Sequence, residues 1–346
     1  MEIEIQANIF NGNNFRNLQL IIRLATYKNR YEIIADLSQI VNSTLYNGLD
    51  QEDKEFLQAN FNKQILEQDV SASKSIKSAI YSISNNPIED EEFSLDEALR
   101  FFMEPAGIIL ENSLNDAHFV NAIIKYFDNA GEIKKQIENG WIRIENAGGC
   151  SNIENYINGR LQSFDSLTKE NKYYLRCFVL LDSDRTNPTL PINYKPVELE
   201  KFLVRNKVRY HILEKRSMEN YMPDEVFDEF KNGVLDDWID AYKYLNAKQK
   251  DYLNISVGFS NKNADGSPKI VRESLEDEVK KLYLDVSENN YNLLNGGFKL
   301  RHFKSTFPAK FITSHNVHKK TLVDRTSHQQ NPKELEVILE KIYDLI

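Results

Sequence analysis

Four short apolar runs, separated by stretches of helical periodicity, constrain this chain more than anything else in it. Residues 107–110 (GIIL), 141–144 (WIRI), 176–181 (RCFVLL) and 208–213 (VRYHIL) are candidate strands. Between them, residues 115–127, 153–164 and 197–206 space their apolar side chains three and four apart, as helices do. This β-α-β-α-β-α-β order predicts a mainly parallel sheet covered by helices on both faces. An α/β core over residues 106–225 follows.

The flanks read differently. Residues 15–26, 36–46, 52–66 and 73–84 each carry helical spacing, and Ser94 followed by Glu97 is a capping box that opens a further helix. Residues 1–105 are therefore expected to form an N-terminal helical region, with the acidic run 87–92 as a solvated linker. Downstream, residues 224–247 and 275–288 read as helices around the turn-rich stretch 258–268. A last helix is expected to start near Asn331, with Pro332 in its first turn. Residues 226–346 are thus expected to be mostly helical. With 13 Gly and 9 Pro in 346 residues, breakers are scarce, and 17 Tyr with 19 Phe supply ample core.

Charge and cysteine content exclude several function classes. The 43 basic and 52 acidic residues leave a formal charge of -9, so no overall positive field draws the protein onto a phosphate backbone. Nucleic-acid chemistry then requires clustered basic groups or a bridging metal ion. Cys150 and Cys177 are the only cysteines, too few for a disulfide framework or a cysteine zinc site. The start has no basic patch followed by an apolar run, and no stretch reaches eighteen apolar residues, so a cytoplasmic protein without membrane association is expected. Gly148-Gly149 reads as a tight turn, because neither Gly-x-Gly-x-x-Gly nor a Walker-type Lys-Ser/Thr accompanies it; ATP hydrolysis is disfavoured. His315 and His318 lack the glutamate of a zincin motif and read as a surface pair.

In a parallel sheet, ligands gather at the carboxyl ends of the strands. Those ends are acidic here: Glu111 follows the first strand and Asp116 lies just beyond it, Asp182 and Asp184 follow the third, and Glu219 lies after the fourth. Carboxylates held together repel one another unless a cation sits between them, and hard oxygen donors select Mg²⁺ or Mn²⁺. The pattern points to a divalent-metal site for phosphoryl chemistry. Residues 298–310 and the pair Lys319-Lys320 form the one strongly basic stretch, interleaved with aromatics, which suits either a nucleic-acid track or a solvated face.

The order of strand, Glu, helix, strand, Gly-Gly turn, helix, strand with Asp-x-Asp, helix and strand resembles the Toprim domain, a Rossmann-like fold of topoisomerases, bacterial primases and overcoming-lysogenization-defect (OLD) type nucleases. Glu111 stands where the Toprim glutamate stands, and Asp182 and Asp184 match its Asp-x-Asp. Residues 211–223, containing Glu219-Asn220-Tyr221, resemble the Glu-Asn-Tyr signature of Toprim nucleases in phage-defence systems. The resemblance spans about 120 residues, a single-domain length.

It implies a Mg²⁺- or Mn²⁺-dependent endonuclease acting on DNA or RNA, an effector of bacterial anti-phage defence that works with an ATPase or sensor partner in trans. A homo-oligomer is compatible with it. Glu111, Asp182 and Asp184 would be catalytic and hold metal, with Asp116 and Glu219 assisting. Lys304 would correspond to the lysine that acts at the scissile phosphate in OLD-type nucleases. Two positions depart from the family: Asn112 replaces the usual Gly, and Asn115 replaces an acid whose counterpart is either Asp116 or lost. The alternative is therefore a degenerate Toprim module that binds nucleic acid or nucleotide without cleavage. A topoisomerase or primase is disfavoured, since no zinc ribbon or strand-passing tyrosine module flanks the core.

Overall fold

A computed structural model describes residues 1–68, 80–192, 194–259, 261–262, 268–269 and 275–346. It is an α/β structure with two four-stranded parallel sheets.

The first sheet lies in the N-terminal region and has the order β2-β1-β3-β4, formed by Glu2–Ile5 (β1), Glu32–Ile34 (β2), Ile80–Ile83 (β3) and Glu92–Phe93 (β4). Three helices accompany it: Phe15–Thr26 (α1), Gln51–Gln68 (α2) and Leu95–Met103 (α3). Helix α1 buries Leu18, Ile21, Ile22 and Ala25, the stripe that its spacing prescribes. Helix α3 carries the expected capping box between Ser94 and Glu97. Both pack with Ile3, Ile5, Ile33, Ile83 and Phe93 into one apolar core.

The strands were not legible in the sequence. Residues 80–83, read there as helix, pair in parallel with β1 instead, and residues 73–79 of that reading lie outside the described residues. Residues 36–46 form two short helices, Leu37–Ile40 and Thr44–Gly48, because the Ser43 side chain caps the second.

The second sheet follows the sequence reading closely. Its strands are Ala106–Leu110 (β5), Ile142–Asn146 (β6), Cys177–Leu181 (β7) and Arg209–Ile212 (β8), in the order β6-β5-β7-β8. The crossover helices Ser113–Phe127 (α4), Cys150–Gln162 (α5) and Tyr194–Arg205 (α6) connect them. Every residue of β5 and β7 is buried. Alternate side chains serve opposite faces: Ile108, Leu110, Phe178 and Leu180 meet α4, whereas Ile109, Val179 and Leu181 meet Ile153, Ile157 and Leu203 of α5 and α6.

The core on the α4 face continues without a break into the C-terminal region, through Trp238, Tyr242, Phe298, Phe307 and Phe311 to Leu335, Ile338 and Ile342. That region is helical, but in shorter pieces than its periodicity suggests. Residues 224–247 divide into Asp224–Asp228 and Asp236–Lys243, where the Asn232 side chain accepts the amides of Val234 and Leu235 and Gly233 takes a left-handed φ of 85°. Helical segments at Phe303–Thr306 (α7), Lys319–Thr326 (α8) and Glu334–Tyr343 (α9) complete the face. Within the turn-rich stretch, Asn261–Lys262 pairs antiparallel with Pro268–Lys269, and residues 260 and 263–267 lie outside the described residues. Among the described residues no helix is long and apolar enough to cross a membrane.

Candidate functional site

The strand order β6-β5-β7-β8 reverses direction between β5 and β7, and at such a switch point the loops leaving the two central strands separate and open a crevice. Glu111 ends one of these strands and Asp182 the other. A cleft of about 210 Å³ lies there, lined by Glu111, Asp116, Asp182, Asp184, Glu219 and Lys304. All six residues singled out in the sequence thus meet in one place. Asn112 and Asn115 line it as well.

Each acid is held by local backbone geometry. The Gly148-Gly149 turn has left-handed φ values of 80° and 111°, conformations that suit glycine and let α5 begin beside β5. The Gly149 amide donates to the Glu111 carbonyl at 2.8 Å, and the Cys150 amide, at the start of α5, donates to Glu111 Oε2 at 3.1 Å. The turn read from the sequence therefore also seats the glutamate. Asp116 stands in the first turn of α4, and its Oδ2 accepts the Asn112 amide at 2.8 Å. Asp182 Oδ1 accepts the Met218 amide at 3.0 Å. Ser183, fully buried, donates from Oγ to the Lys215 carbonyl at 2.7 Å, and the Asp184 amide donates to the Arg216 carbonyl at 3.0 Å. Asp184 takes a left-handed φ of 52°, which Asp tolerates better than most residues.

Their electrostatics are those of crowded like charges. Burial, then the charges of Asp184 and Asp116, push Glu111 up to about 7 against the opposing Cys150 amide. Burial and Glu219 push Asp116 up to about 6, although the Asn112 amide and Lys304 oppose them. Asp182 lies well above the carboxylate range, through burial and then the charges of Glu219, Glu111, Asp116 and Asp184.

The donor set is all oxygen, which suits a hard divalent cation. In each of Glu111, Asp116 and Asp182, one carboxylate oxygen takes a backbone amide and the other has no such partner among the described residues. Yet among the described residues no three His, Cys, Asp or Glu side chains are gathered as a ready ligand set. The acids fit Mg²⁺ or Mn²⁺ in type; coordination by three of them requires side-chain rotation into the cleft.

The Glu219-Asn220-Tyr221 segment divides its work. Glu219 faces the cleft, while Asn220 and Tyr221 are fully buried beneath it. The Asn220 amide donates to the carbonyls of Lys250 and Leu253 at 2.7 and 2.9 Å and accepts from the Ser217 amide and hydroxyl at 3.1 and 2.8 Å. Tyr221 donates to Glu334, at the start of α9, which also accepts from the Glu214 amide and Gln329. Beside it, Lys215 is 1% exposed and donates to Asp251 Oδ1 at 2.7 Å and the Arg325 carbonyl at 2.6 Å. Burial and then the Arg325 charge push Lys215 down to about 7. Asp251 stays below the usual carboxylate range despite burial, because His328, Lys215 and Arg325 surround it. The C-terminal helices thus clamp the loop that carries Met218 and Glu219.

Sequence reasoning missed Arg216, Asn254 and Ser256, which also line the cleft. Arg216 stood within the Glu-Asn-Tyr stretch but no spacing marked it, and Asn254 lies in a loop without a motif. His318 caps α8 by accepting the Thr321 amide at 3.3 Å, and it and His315 are exposed, as a surface pair should be. No protein-family model matches the chain, and neither the curated proteins nor the solved structures contain a significant match.

Proposed function

We propose that this protein is a metal-dependent endonuclease that cleaves phosphodiester bonds in DNA or RNA, built on a Toprim-like core and serving as an effector of bacterial anti-phage defence with an ATPase or sensor partner in trans. The observation that carries the reading is the convergence of Glu111, Asp116, Asp182, Asp184 and Glu219 with Lys304 in one cleft at the switch point of a parallel sheet. Structural ion-pair networks also crowd charges, but they pair them; here the acids outnumber the cations.

Glu111, Asp182 and Asp184 would hold Mg²⁺ or Mn²⁺, with Asp116 and Glu219 supporting them. A bound ion supplies charge neutralisation at the phosphate and lowers the pKa of its water. Lys304 is exposed on α7 at the cleft, where its ammonium binds a phosphate oxygen and counters the charge that grows there in the transition state. Arg216 gives a second cationic contact from the opposite loop.

A second reading, a degenerate module that binds nucleic acid or nucleotide without cutting, is favoured by Asn112 and Asn115 in the cleft and by the absence, among the described residues, of a gathered ligand set. Incubation of plasmid, single-stranded DNA and tRNA with the protein and Mn²⁺ separates the two. The nuclease reading expects cleavage that falls by several orders of magnitude in Asp182→Ala and in Glu111→Ala, both still folded. Metal-dependent binding with intact substrate would establish the module, and full activity in Asp182→Ala would remove the site assignment.

A further inference from the structure

Beyond Arg216 and Asn254, which form part of the acid cleft, a second cavity of about 140 Å³ opens. The two residues belong to both walls, so the cavities adjoin across them. The chemistry of the second is different: Tyr252, Phe259 and Tyr283 line it, together with Thr186, Leu275 and Glu276. We propose that this pocket receives the base next to the scissile phosphate, that the base is a pyrimidine, and that the substrate is therefore single-stranded; the inference rests on the nuclease reading of the neighbouring acids.

Three observations carry it. Aromatic walls beside a phosphate-handling site are what a stacked, unpaired base requires. A cavity of roughly 150 Å³ holds one benzene-sized ring, so a pocket of this size takes the six-membered ring of a pyrimidine and not the fused rings of a purine. The polar groups at the junction point the same way. Asn254 Oδ1 accepts from the Ser256 amide at 3.2 Å, the Ser256 hydroxyl at 2.9 Å and the Val257 amide at 3.1 Å. That orients its amide group, and Asn254 Nδ2 has no hydrogen-bond partner among the described residues, leaving it to donate to the O2 carbonyl that cytosine, thymine and uracil share. The half-buried Arg216 guanidinium makes no hydrogen bond among the described residues, while the charges of Asp184 and Asp182 act on it from the cleft. Its guanidinium stands between pocket and cleft, where the phosphate joining a bound base to the reacting centre would pass. A paired base cannot enter such a pocket without leaving its stack.

The test uses the full chain and end-labelled single-stranded oligonucleotides, DNA and RNA, each with pyrimidines and purines at defined positions. Cleavage is mapped with Mn²⁺, and binding of all-pyrimidine and all-purine strands is measured by fluorescence anisotropy with Ca²⁺. Cuts and binding are expected to favour pyrimidine by about tenfold, the order that one stacked base supplies. Thr186→Trp, a filling substitution on a half-buried loop residue, should erase the preference by lowering cleavage and binding of pyrimidine strands toward those of purine strands. Cleavage without base preference in the wild type, or an unchanged preference in Thr186→Trp, would overturn the pocket and leave the nuclease standing. Pyrimidine-selective binding with no cleavage would do the reverse, and neither binding nor cleavage would overturn both.

Discussion

At the scale of single residues, the cleft asks each charged group to do one thing, and substitution separates the roles. On the proposed function, Lys304 is an exposed cation whose charge would matter most as negative charge develops on the phosphate. Lys304→Ala should therefore lower kcat by about tenfold to a hundredfold and leave KM nearly unchanged. Steady-state kinetics on a single oligonucleotide checks this; a rise in KM alone would make Lys304 a backbone contact, and no change would return it to the solvated surface. Glu111, Asp182 and Asp184 were legible in the sequence because a strand buried on both faces must end where its first charges appear. The rest of the cleft was less legible. Arg216 and Asn254 lie on loops whose neighbours are set by packing against residues far along the chain, and no local spacing encodes that.

At the scale of elements, the loop from β8 to Tyr221 rests on a buried polar scaffold beside the apolar core that takes Leu213, Met218 and Tyr221. Asn220 is its centre, since one side chain satisfies two carbonyls and the Ser217 amide and hydroxyl. Asn220→Ala leaves buried carbonyls unpaired and should cost about 2 to 4 kcal/mol, measured by urea unfolding. A loss below about 0.5 kcal/mol would show that the loop does not rely on it. Gly297 tests the opposite wall of the cleft. It has φ 70°, and a Cβ there would lie 2.3 Å from the Ser256 carbonyl, so the backbone at 256–257 and at 297 can touch only through glycine. Gly297→Ala should displace the Asn254 to Ser256 loop and reduce cleavage, together with stability. The sequence offered no sign of this contact, because the Gly296-Gly297 pair reads as a turn whether it meets solvent or backbone.

At the scale of the whole molecule, the N-terminal region and the second sheet are joined through buried polar groups. Glu97, in the capping box of α3, accepts from Thr168 and from Tyr174 at 2.6 Å, both in the connection that leads to β7, and Arg176 donates to Tyr31 and to the Glu104 carbonyl at 3.1 and 2.5 Å. Although burial raises the Glu97 carboxyl, the hydrogen bonds of Thr168, Tyr174 and Ser94 outweigh it and hold the group down to about 2. A depressed carboxylate stabilises the fold above its unfolded pKa of about 4.5, and that contribution fades as pH falls toward 2. Wild type should therefore exceed Glu97→Gln in stability at neutral pH, with the gap closing between about pH 4.5 and 2; a gap independent of pH would contradict the assignment. The capping box was readable at once, but the sheet behind it was not. Its strands run two to four residues, β1 alternates Glu with Ile as EIEI, and their parallel partners are distant in sequence, so the helical periodicity around them dominates. In the second sheet, β5 and β7 were readable because burial on both faces writes itself as an unbroken apolar run, and the partly exposed β6 and β8 because helical segments alternate with them.

On the proposed function, the acids at the switch point share one divalent ion. Melting of wild type and Asp182→Asn, each with EDTA and with Mn²⁺, tests it without any substrate. Because the acids repel one another, Asp182→Asn in EDTA should melt no lower than wild type. At a free Mn²⁺ concentration one hundred times its dissociation constant, wild type should gain about 2.7 kcal/mol, a rise of a few degrees in Tm for a chain of this length. Asp182→Asn should lose most of that rise. An equal Mn²⁺-induced shift in the two proteins would mean that the ion binds elsewhere, and would contradict the central claim.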